Sequence, residues 1–394
     1  MTIVRLYTLN IFYFYTVINI IFINMKIGIL KETQKGEKRV SISPNIAKQL
    51  IAKEFEIVVE DDAGADSSFK NSDYKDIGAI IEKRGVLFKE CDVLIKINPF
   101  DNDDLKLVNK GQILMSQLFH KSNPKLIKAI AEKGVSAFSM DAMPRISRAQ
   151  DMDVLSSQGN LAGYKAVIRG AMEMTKIFPL MMTAAGTITP SRVLVYGVGV
   201  AGLQAIATAK RLGAVVEATD IRLETKEQTE SLGAKFITVE ANGEDNEGVY
   251  AKVASEDYVR RQKEAVNKSL FQADLVITTA MVPGRRSPVL ISEEQVKKMK
   301  NGAVIIDLAA AQGGNCELSK MNKTVMKNGV KIIGTTISPE SVSTNASELF
   351  AKNMYNFMMH LTEGNKFKWD LEEEITDKTL IVQDGKIRQN EKTQ

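Results

Sequence analysis

Three glycines between an apolar strand and a predicted helix are the feature of this sequence with the clearest chemistry. Gly197, Gly199 and Gly202 follow the apolar run Val193–Tyr196 in the pattern Gly-x-Gly-x-x-Gly. The first glycine permits a tight turn, the second lets a pyrophosphate approach the main chain, and the third lets the helix pack closely on the strand. The helix that starts there directs its N–H groups and the positive end of its dipole at the phosphates. The pattern therefore predicts a dinucleotide site.

A carboxylate at the end of the next predicted strand indicates which dinucleotide would bind. Asp220 follows Gly202 by 18 residues, where an acidic side chain accepts hydrogen bonds from an adenosine ribose. Because this carboxylate would repel a 2′-phosphate, NAD is favoured over NADP. Arg222 argues in the other direction, since a nearby arginine can serve a 2′-phosphate.

Short apolar strands alternate with amphipathic helices in two series, which predicts an α/β fold with parallel sheets and right-handed crossovers. The first series has strand candidates Lys26–Leu30, Glu56–Glu60, Asp92–Ile97, Gln112–Leu118 and Val135–Met140, with helices such as Ile46–Lys53 and Lys125–Lys133. The second series follows a long predicted helix, Ser156–Phe178, and has strand candidates Arg192–Tyr196, Val215–Thr219, Lys235–Glu240, Asp274–Thr279, Ala303–Leu308 and Lys331–Gly334. Six such strands suit a complete doubly wound domain.

Two Rossmann-like domains are therefore expected, joined by two helices and separated by a cleft of the kind that often holds ligands. Residues 25–155 and 345–394 form the first, and residues 156–344 form the dinucleotide-binding domain. A helix over Ser347–Glu363 returns the chain to the first domain. The tail Leu380–Ile387 predicts a hairpin with an Asp-Gly turn at Asp384.

The composition is that of a globular protein and excludes several function classes. Apolar residues make up 44% and charged residues 25%, and a net charge of +4 with lysines alternating among glutamates gives no basic stripe for nucleic acid. Cys91 and Cys316 cannot form a disulfide framework, which favours a reducing cytoplasm. His120 and His360 are the two histidines, too few for a multi-histidine metal site.

Residues 1–24 differ from the rest of the chain. The stretch Leu6–Asn24 carries no charge and has the length of a signal-peptide core or short anchor. Asparagines interrupt it and no small-residue cleavage site follows, whereas Met25 opens a plausible first strand. We interpret residues 1–24 as translation from an upstream start or a disordered extension, with a genuine anchor as the alternative.

From Met25 onward the sequence resembles the soluble NAD(H)-binding component, the first domain of the alpha subunit, of proton-translocating NAD(P) transhydrogenase. The most specific block is Met143–Gln158, with PRISRAQDMDVLSS in its centre. The resemblance implies that this loop folds over the nicotinamide, with Arg145, Gln150, Asp153 and Ser156 in contact with the nucleotide. Arg145, Gln150 and Asp153 are the expected catalytic positions.

Further positions match the family's cofactor contacts. Carried over onto this sequence they are Ile146, Ser147, Gly197, Val198, Gly199, Val200, Gly202, Asp220, Ile221, Arg222, Tyr250, Gln262 and Met281, the last within Thr278–Met281. Tyr250 matches a mobile loop whose tyrosine closes on the nucleotide. Val249 stands where the family pattern has a glycine, which puts the closed geometry of that loop in doubt.

Alanine dehydrogenase is the rival interpretation, because it shares this architecture. In that family an arginine and a lysine, matched here by Arg39 and Lys96, hold the amino acid. Oxidising alanine to pyruvate and ammonia also needs a general acid/base at the reacting carbon. The expected histidine position holds Phe119, with His120 one place later, and the expected aspartate position holds Ala311. A one-residue slip along a strand turns a side chain to the opposite face.

Hydride transfer between two nicotinamides requires none of those groups, because no proton is exchanged at either carbon. The resemblance thus implies a Si-specific NAD(P)⁺ transhydrogenase component that holds NAD(H), while NADP(H) binds on a partner beta subunit. It further implies a homodimer attached peripherally, through membrane-embedded subunits that translocate protons, to the cytoplasmic face of the membrane. A non-catalytic NAD-sensing scaffold is a third interpretation.

Overall fold

The structure is a computed structural model that describes residues 25–239, 256–281, 285–334 and 339–388. The strands, numbered along the chain, are β1 Lys26–Ile29, β2 Glu56–Glu60, β3 Ile80–Glu82, β4 Val93–Ile95, β5 Ile113–Ser116, β6 Ser136–Ser139, β7 Met181–Thr183, β8 Gly186–Ile188, β9 Arg192–Tyr196, β10 Val215–Thr219, β11 Lys235–Phe236, β12 Leu275–Thr278, β13 Val304–Asp307, β14 Thr324–Lys327, β15 Val330–Ile333, β16 Thr362–Glu363, β17 Lys366–Phe367, β18 Leu380–Gln383 and β19 Lys386–Ile387. The α-helices are α1 Pro44–Ile51, α2 Asn71–Lys75, α3 Arg84–Glu90, α4 Asn102–Leu107, α5 Pro124–Glu132, α6 Val154–Glu173, α7 Val200–Arg211, α8 Thr225–Ser231, α9 Glu256–Gln272, α10 Glu293–Lys297, α11 Ser343–Leu361 and α12 Glu374–Thr379.

The described chain divides into two compact units. The first unit contains the described residues up to Asp153 and from Phe350 onward, and the second contains those within Val154–Leu349. The chain leaves the first unit where α6 begins and returns to it within α11.

The first unit is built on a mostly parallel sheet, as its alternating strands and helices predict. Within the described ranges its strand order is β19-β18-β6-β5-β4-β1-β2-β3. β1 pairs in parallel with β2 on one side and β4 on the other. Its core strands are buried on both faces, which explains their continuous apolar runs. α1 and α5 each begin with a proline, whose fixed φ suits the first helical turn.

The C-terminal hairpin joins this first sheet. β18 and β19 pair antiparallel across Asp384 and Gly385, whose φ values of +47° and +79° suit a tight hairpin turn. β18 in turn pairs antiparallel with β6. The predicted hairpin is therefore confirmed, and it forms the edge of a sheet whose other strands come from the N-terminal half of the chain.

The second unit contains the predicted doubly wound sheet. Its strand order within the described ranges is β11-β10-β9-β12-β13-β15-β14, and every pair is parallel except β14 with β15. β9 has β10 on one side and β12 on the other, so the chain reverses its direction of winding at β9. In sheets of this kind, ligands bind outside the carboxyl ends of the strands at such a reversal.

Several predicted bounds were wrong. The long helix starts at Val154 and ends at Glu173 instead of spanning Ser156–Phe178. Pro179 follows Phe178, and the residue before a proline avoids the helical region. Lys176 instead donates to the Pro190 carbonyl and the Asp274 carboxylate.

Some strands were also missed. β3 is short and half-exposed, and the hairpin of β7 and β8 is exposed throughout, so neither shows the buried pattern on which the prediction relied. β14 pairs with β15 across an Asn328-Gly329 turn. That dipeptide is a hairpin signal and could have been recognised. The predicted strand Lys235–Glu240 ends at Phe236, with Glu240 outside the described residues.

Two glycines let α6 pack closely within the second unit. A Cβ atom on Gly163 would lie 2.1 Å from the Ala201 carbonyl oxygen in the first turn of α7, and one on Gly170 would lie 2.6 Å from Leu275 Cδ1. Since α7 is the helix that follows the glycine pattern, α6 sets the position of its N-terminal turn.

We predict that Gly163→Ala lowers the free energy of unfolding by about 1–3 kcal/mol, the usual cost of overpacking a core. The matched control is Gly159→Ala in the same helix, where a Cβ would meet nothing within 4 Å. Because alanine is the better helix former, that control should be neutral or stabilising by up to about 1 kcal/mol. Urea unfolding measures both, and equal stability of the two variants would contradict the proposed packing role.

Candidate functional site

The glycine pattern folds as the turn between β9 and α7. Gly197 has a φ of +88°, a conformation that a side chain would strain. A Cβ on Gly202 would lie 1.9 Å from the Gly197 carbonyl oxygen, so α7 could not pack against the turn if residue 202 carried a side chain. A Cβ on Gly199 would meet no protein atom within 4 Å. The main chain at Gly199 is thus open to an outside group, which fits the approach of a pyrophosphate.

The N-terminus of α7 adds favourable electrostatics for an anion. Gly199 is the N-cap residue, no acidic side chain occupies the first turn, and Lys210 and Arg211 lie in the last turn. This charge distribution leaves the positive end of the helix dipole uncompensated beside Gly199. Val200, the first helical residue, is 39% exposed at the same place.

Asp220 lies just beyond the end of β10 and faces the glycine turn. Its Oδ2 accepts a hydrogen bond of 2.6 Å from the Val198 main-chain N–H, and its Oδ1 accepts one of 2.9 Å from the Arg222 N–H. Burial alone would raise the pKa of the Asp220 carboxyl, but hydrogen bonds from Arg222 and Val198 outweigh it and hold the pKa below its usual value. The group is therefore an ionised acceptor near neutral pH. Its neighbour Ile221 is almost fully exposed.

Arg222 is engaged with Asp220 rather than directed outward. Its Nε and Nη2 donate to the two Asp220 oxygens at 3.0 and 2.9 Å. The guanidinium that could serve a 2′-phosphate is thus paired with the carboxylate that would repel one. This pairing supports a preference for NAD over NADP.

In the first unit, residues 145–153 form one ordered loop. Ser147–Met152 is a 3-10 helix anchored by buried Ala149 and Met152. Arg145, Ser147 and Gln150 are exposed, while Ile146 and Asp153 are partly buried. Ser156, also partly buried, belongs to α6 of the second unit. The contacts predicted for these residues stay predictions.

The residues that hold this loop were missed by the sequence analysis. The Asp151 carbonyl accepts from the Nδ2 atoms of Asn353 and Asn356 at 2.7 and 3.0 Å. Arg148 lies 3.1 Å from a Glu373 oxygen at the start of α12. No spacing rule connects position 151 with a helix so much later in the chain, so only the fold reveals the clamp.

The remaining predicted contacts lie in the second unit or outside the described residues. Gln262 accepts from the Val239 N–H at 3.1 Å and donates to the Ile237 carbonyl at 2.8 Å, so it holds the chain after β11. Met281 is 48% exposed just after β12. Tyr250 lies outside the described residues.

The positions matched to an amino-acid site form buried ion pairs in the first unit. Arg39 Nη2 lies 2.6 Å from Glu37 Oε2, and Lys96 Nζ lies 2.8 Å from Asp104 Oδ2. Lys96 and Asp104 are each 1% exposed. Both cations thus have carboxylate partners within the protein.

The acid/base positions differ from those of an amino-acid oxidase. Phe119 adopts a φ of +47°, and burial lowers the pKa of the neighbouring His120. Ala311 is exposed and has no titratable group. Among the described residues no cluster of three histidine, cysteine, aspartate or glutamate side chains could hold a metal ion. None of the described helices has the length and apolarity to span a membrane.

Comparison with known proteins places both units in one family. Residues 28–162 match the family described as Alanine dehydrogenase/PNT, N-terminal domain, and residues 166–390 match Alanine dehydrogenase/PNT, C-terminal domain. The first portion of the NAD(P) transhydrogenase alpha subunit of Rhodospirillum rubrum, a separate polypeptide, is 50% identical over 374 residues, covering 92% of this chain and 97% of that protein.

A solved structure of transhydrogenase from Sinorhizobium meliloti superposes with a TM-score of 0.85 at 38% identity, covering 92% of this chain and 100% of that chain. Alanine dehydrogenase 2 of Staphylococcus aureus (strain USA300) is 29% identical over 315 residues, covering 78% of this chain and 79% of that protein. The similarity to the transhydrogenase subunit is therefore both higher and more extensive.

We predict that Asp104→Asn lowers the free energy of unfolding by about 3–5 kcal/mol, because it leaves the buried Lys96 charge without its partner. The matched control is Asp103→Asn, whose side chain is exposed and pairs with exposed Lys106. That change should cost less than about 1 kcal/mol. Urea unfolding at pH 7 compares them, and a small effect at Asp104 would mean that Lys96 is not held by this pair.

Proposed function

Because the chain belongs to the alanine dehydrogenase/PNT family, we propose that it is the NAD(H)-binding component of a proton-translocating transhydrogenase. In this proposal NADP(H) binds on a partner beta subunit, and membrane-embedded subunits couple hydride transfer to proton translocation. The chain itself lies peripherally on the cytoplasmic side of the membrane.

One observation separates this reaction from amino-acid oxidation. The two positions that would carry the acid/base pair hold Phe119 and Ala311, neither of which can transfer a proton. Alanine oxidation needs such a transfer at the reacting carbon, whereas exchange of hydride between two nicotinamides does not. The buried pairing of Arg39 and Lys96 with carboxylates also supports a structural role for these two residues.

Bound NADH supplies the chemistry, a hydride with its electron pair that leaves C4 of one nicotinamide and adds to C4 of the other. The protein's task is to position the rings and exclude water, since the two carbons must approach to within about 3–3.5 Å. The turn at Gly199 would take the pyrophosphate, and Asp220 the adenosine ribose. The loop that carries Arg145, Gln150 and Asp153 would lie over the nicotinamide.

The test is cyclic hydride exchange. The purified protein is mixed with NADH, an oxidised NAD analogue and the NADP(H)-binding partner subunit, and reduction of the analogue is followed by absorbance. We expect reduction that requires both the partner and NADP(H). Failure of exchange, with NADH binding intact, would overturn the transhydrogenase assignment. Reduction of NAD by alanine without the partner would instead favour alanine dehydrogenase.

We predict that Gln150→Asn and Asp153→Asn slow hydride exchange by about tenfold or more, since small misplacements of reacting groups cost up to about a hundredfold. NADH affinity should change little, because the phosphates and adenosine bind at the second unit's turn. Asp151→Asn is the matched control, because that neighbouring residue anchors the loop through its main-chain carbonyl. Stopped-flow rates and NADH fluorescence titrations separate the two effects, and rates equal to the control would refute the assigned roles.

The hairpin of β7 and β8 supports the proposed homodimer. Within it and beside it the apolar side chains of Leu180, Met181, Met182 and Ile188 are exposed to between 43% and 77%. An isolated two-stranded hairpin is only marginally stable in water, and exposed apolar patches mark contact surfaces. A second copy of this chain is the occupant that we propose for this surface.

We therefore predict that Met182→Asp shifts the protein from dimer to monomer at micromolar concentration, because it places a charge in an apolar contact. Light scattering coupled to size exclusion measures the mass. Met326→Asp is the control, since Met326 is similarly exposed but lies on the edge strand β14. A dimer that persists in the Met182 variant, or a monomeric parent protein, would contradict the role of the hairpin.

A further inference from the structure

Asn315 is a fully buried amide in the second unit whose side-chain nitrogen and oxygen are both bonded. Its Nδ2 donates to the carbonyls of Ala280 and Pro288 at 2.8 Å each, and its Oδ1 accepts from the Ala280 N–H at 3.0 Å. Its own carbonyl accepts from the N–H groups of Leu290 and Ile291 at 2.7 and 3.0 Å. The side chain thus grips both main-chain polar groups of Ala280, two residues beyond the end of β12.

Asp307 fixes the position of Asn315. This carboxylate is 1% exposed and accepts four hydrogen bonds. One oxygen accepts from Thr278 Oγ1 and the Ala309 N–H, each at 3.0 Å, and the other accepts from the N–H groups of Asn315 and Cys316 at 2.9 and 3.0 Å. Hydrogen bonds to an ionised acceptor are stronger than neutral ones, so the Asn315 main chain has little freedom to move.

The segment gripped by Asn315 lies against the glycine turn. Thr279 Oγ1 donates to the Gly197 carbonyl at 2.9 Å. A Cβ on Gly197 would lie 2.8 Å from Thr279 Oγ1 and 3.2 Å from the Ala280 nitrogen. A continuous series of contacts therefore links Asp307, at the end of β13, through Asn315 to the turn at the end of β9.

The sheet order indicates which half of a dinucleotide this segment would meet. β9 lies between β10 and β12. Asp220, after β10, marks the side for the adenosine ribose, and the pyrophosphate crosses at the turn. The nicotinamide half must then extend to the other side of β9, over the end of β12 where Ala280 lies.

We propose that Asn315 is a positioning residue for the nicotinamide half of NAD(H), acting through Ala280, and that Asp307 orients it. The inference rests on the NAD(H) site proposed above and adds residues to it that do not themselves touch the ligand. It makes a specific claim, that disturbing Asn315 affects the nicotinamide side of the site and spares the adenosine side.

The decisive variant is Asn315→Asp, which keeps the size of the side chain but replaces the two N–H donors by an oxygen. Titration with NADH and with 5′-AMP, which lacks the nicotinamide half, separates the two sides of the site. We expect NADH affinity to fall by about tenfold, as unsatisfied buried carbonyls displace Ala280. The affinity for 5′-AMP should stay within about twofold, and Asn328→Asp, the same change in the β14–β15 turn, should alter neither.

A milder pair of variants decides the question if Asn315→Asp fails to fold. Thr278 is fully buried with its hydroxyl bonded to Asp307, so its side chain reaches neither ligand. Thr278→Val removes that hydrogen bond while keeping the shape, and should weaken NADH binding by between about twofold and tenfold without weakening 5′-AMP binding. Thr278→Ser keeps the hydroxyl and should retain wild-type NADH affinity.

The outcomes separate this inference from the proposed function. If the parent protein binds NADH but the Asn315 and Thr278 variants bind it equally well, the positioning role is wrong and the proposed function stands. Equal weakening of NADH and 5′-AMP binding would likewise overturn the role, because it would show a general loss of structure. If the parent protein binds neither ligand, the proposed NAD(H) function fails and this inference fails with it.

Discussion

The second unit depends on one contact, the approach of Gly202 to the Gly197 carbonyl. An added Cβ would lie 1.9 Å from that oxygen, and Gly197 itself has a φ of +88°. Only with glycine at both positions can α7 begin directly above the end of β9. Asp220 then reaches the Val198 N–H and Thr279 reaches the Gly197 carbonyl. Strands on both sides of β9 are thus tied to the same turn, which explains how a short loop becomes a rigid site.

The two units share a topology but use it in opposite ways. β1 lies between β4 and β2 just as β9 lies between β12 and β10. Where the second unit has its glycine turn, the first has charged side chains: Arg84 donates to the Lys31 carbonyl after β1 and pairs with Glu60 at the end of β2 at 2.7 Å. Arg84 and Lys96 both also pair with Asp104. Ion pairs that fill the crevice leave the first unit without the open main chain that a phosphate needs.

The sequence predicted those parts of the fold that short-range patterns encode. The predicted bounds of Glu56–Glu60, Arg192–Tyr196 and Val215–Thr219 agree with the structure, because buried parallel strands are continuous apolar runs ended by polar residues. The glycine turn followed from spacing. Exposed or short elements such as β7 and β8 were missed, since they bury too little apolar surface to leave a pattern. The clamps by Asn353 and Asn315 could not be predicted, because each joins residues far apart in sequence.

The two sides of the candidate site are held by different kinds of interaction, and this difference matters for hydride transfer. On the side of β10, Asp220 pairs with an Arg222 side chain that is 48% exposed, and such a pair is worth only about 1 kcal/mol. A ribose can therefore displace or share the guanidinium at little cost. On the side of β12, the Asn315 amide is buried and fully bonded, so moving it would leave several polar groups unsatisfied. The adenosine side can adjust to its ligand while the nicotinamide side cannot, which is the arrangement required when one ring carbon must be held at a fixed place against another.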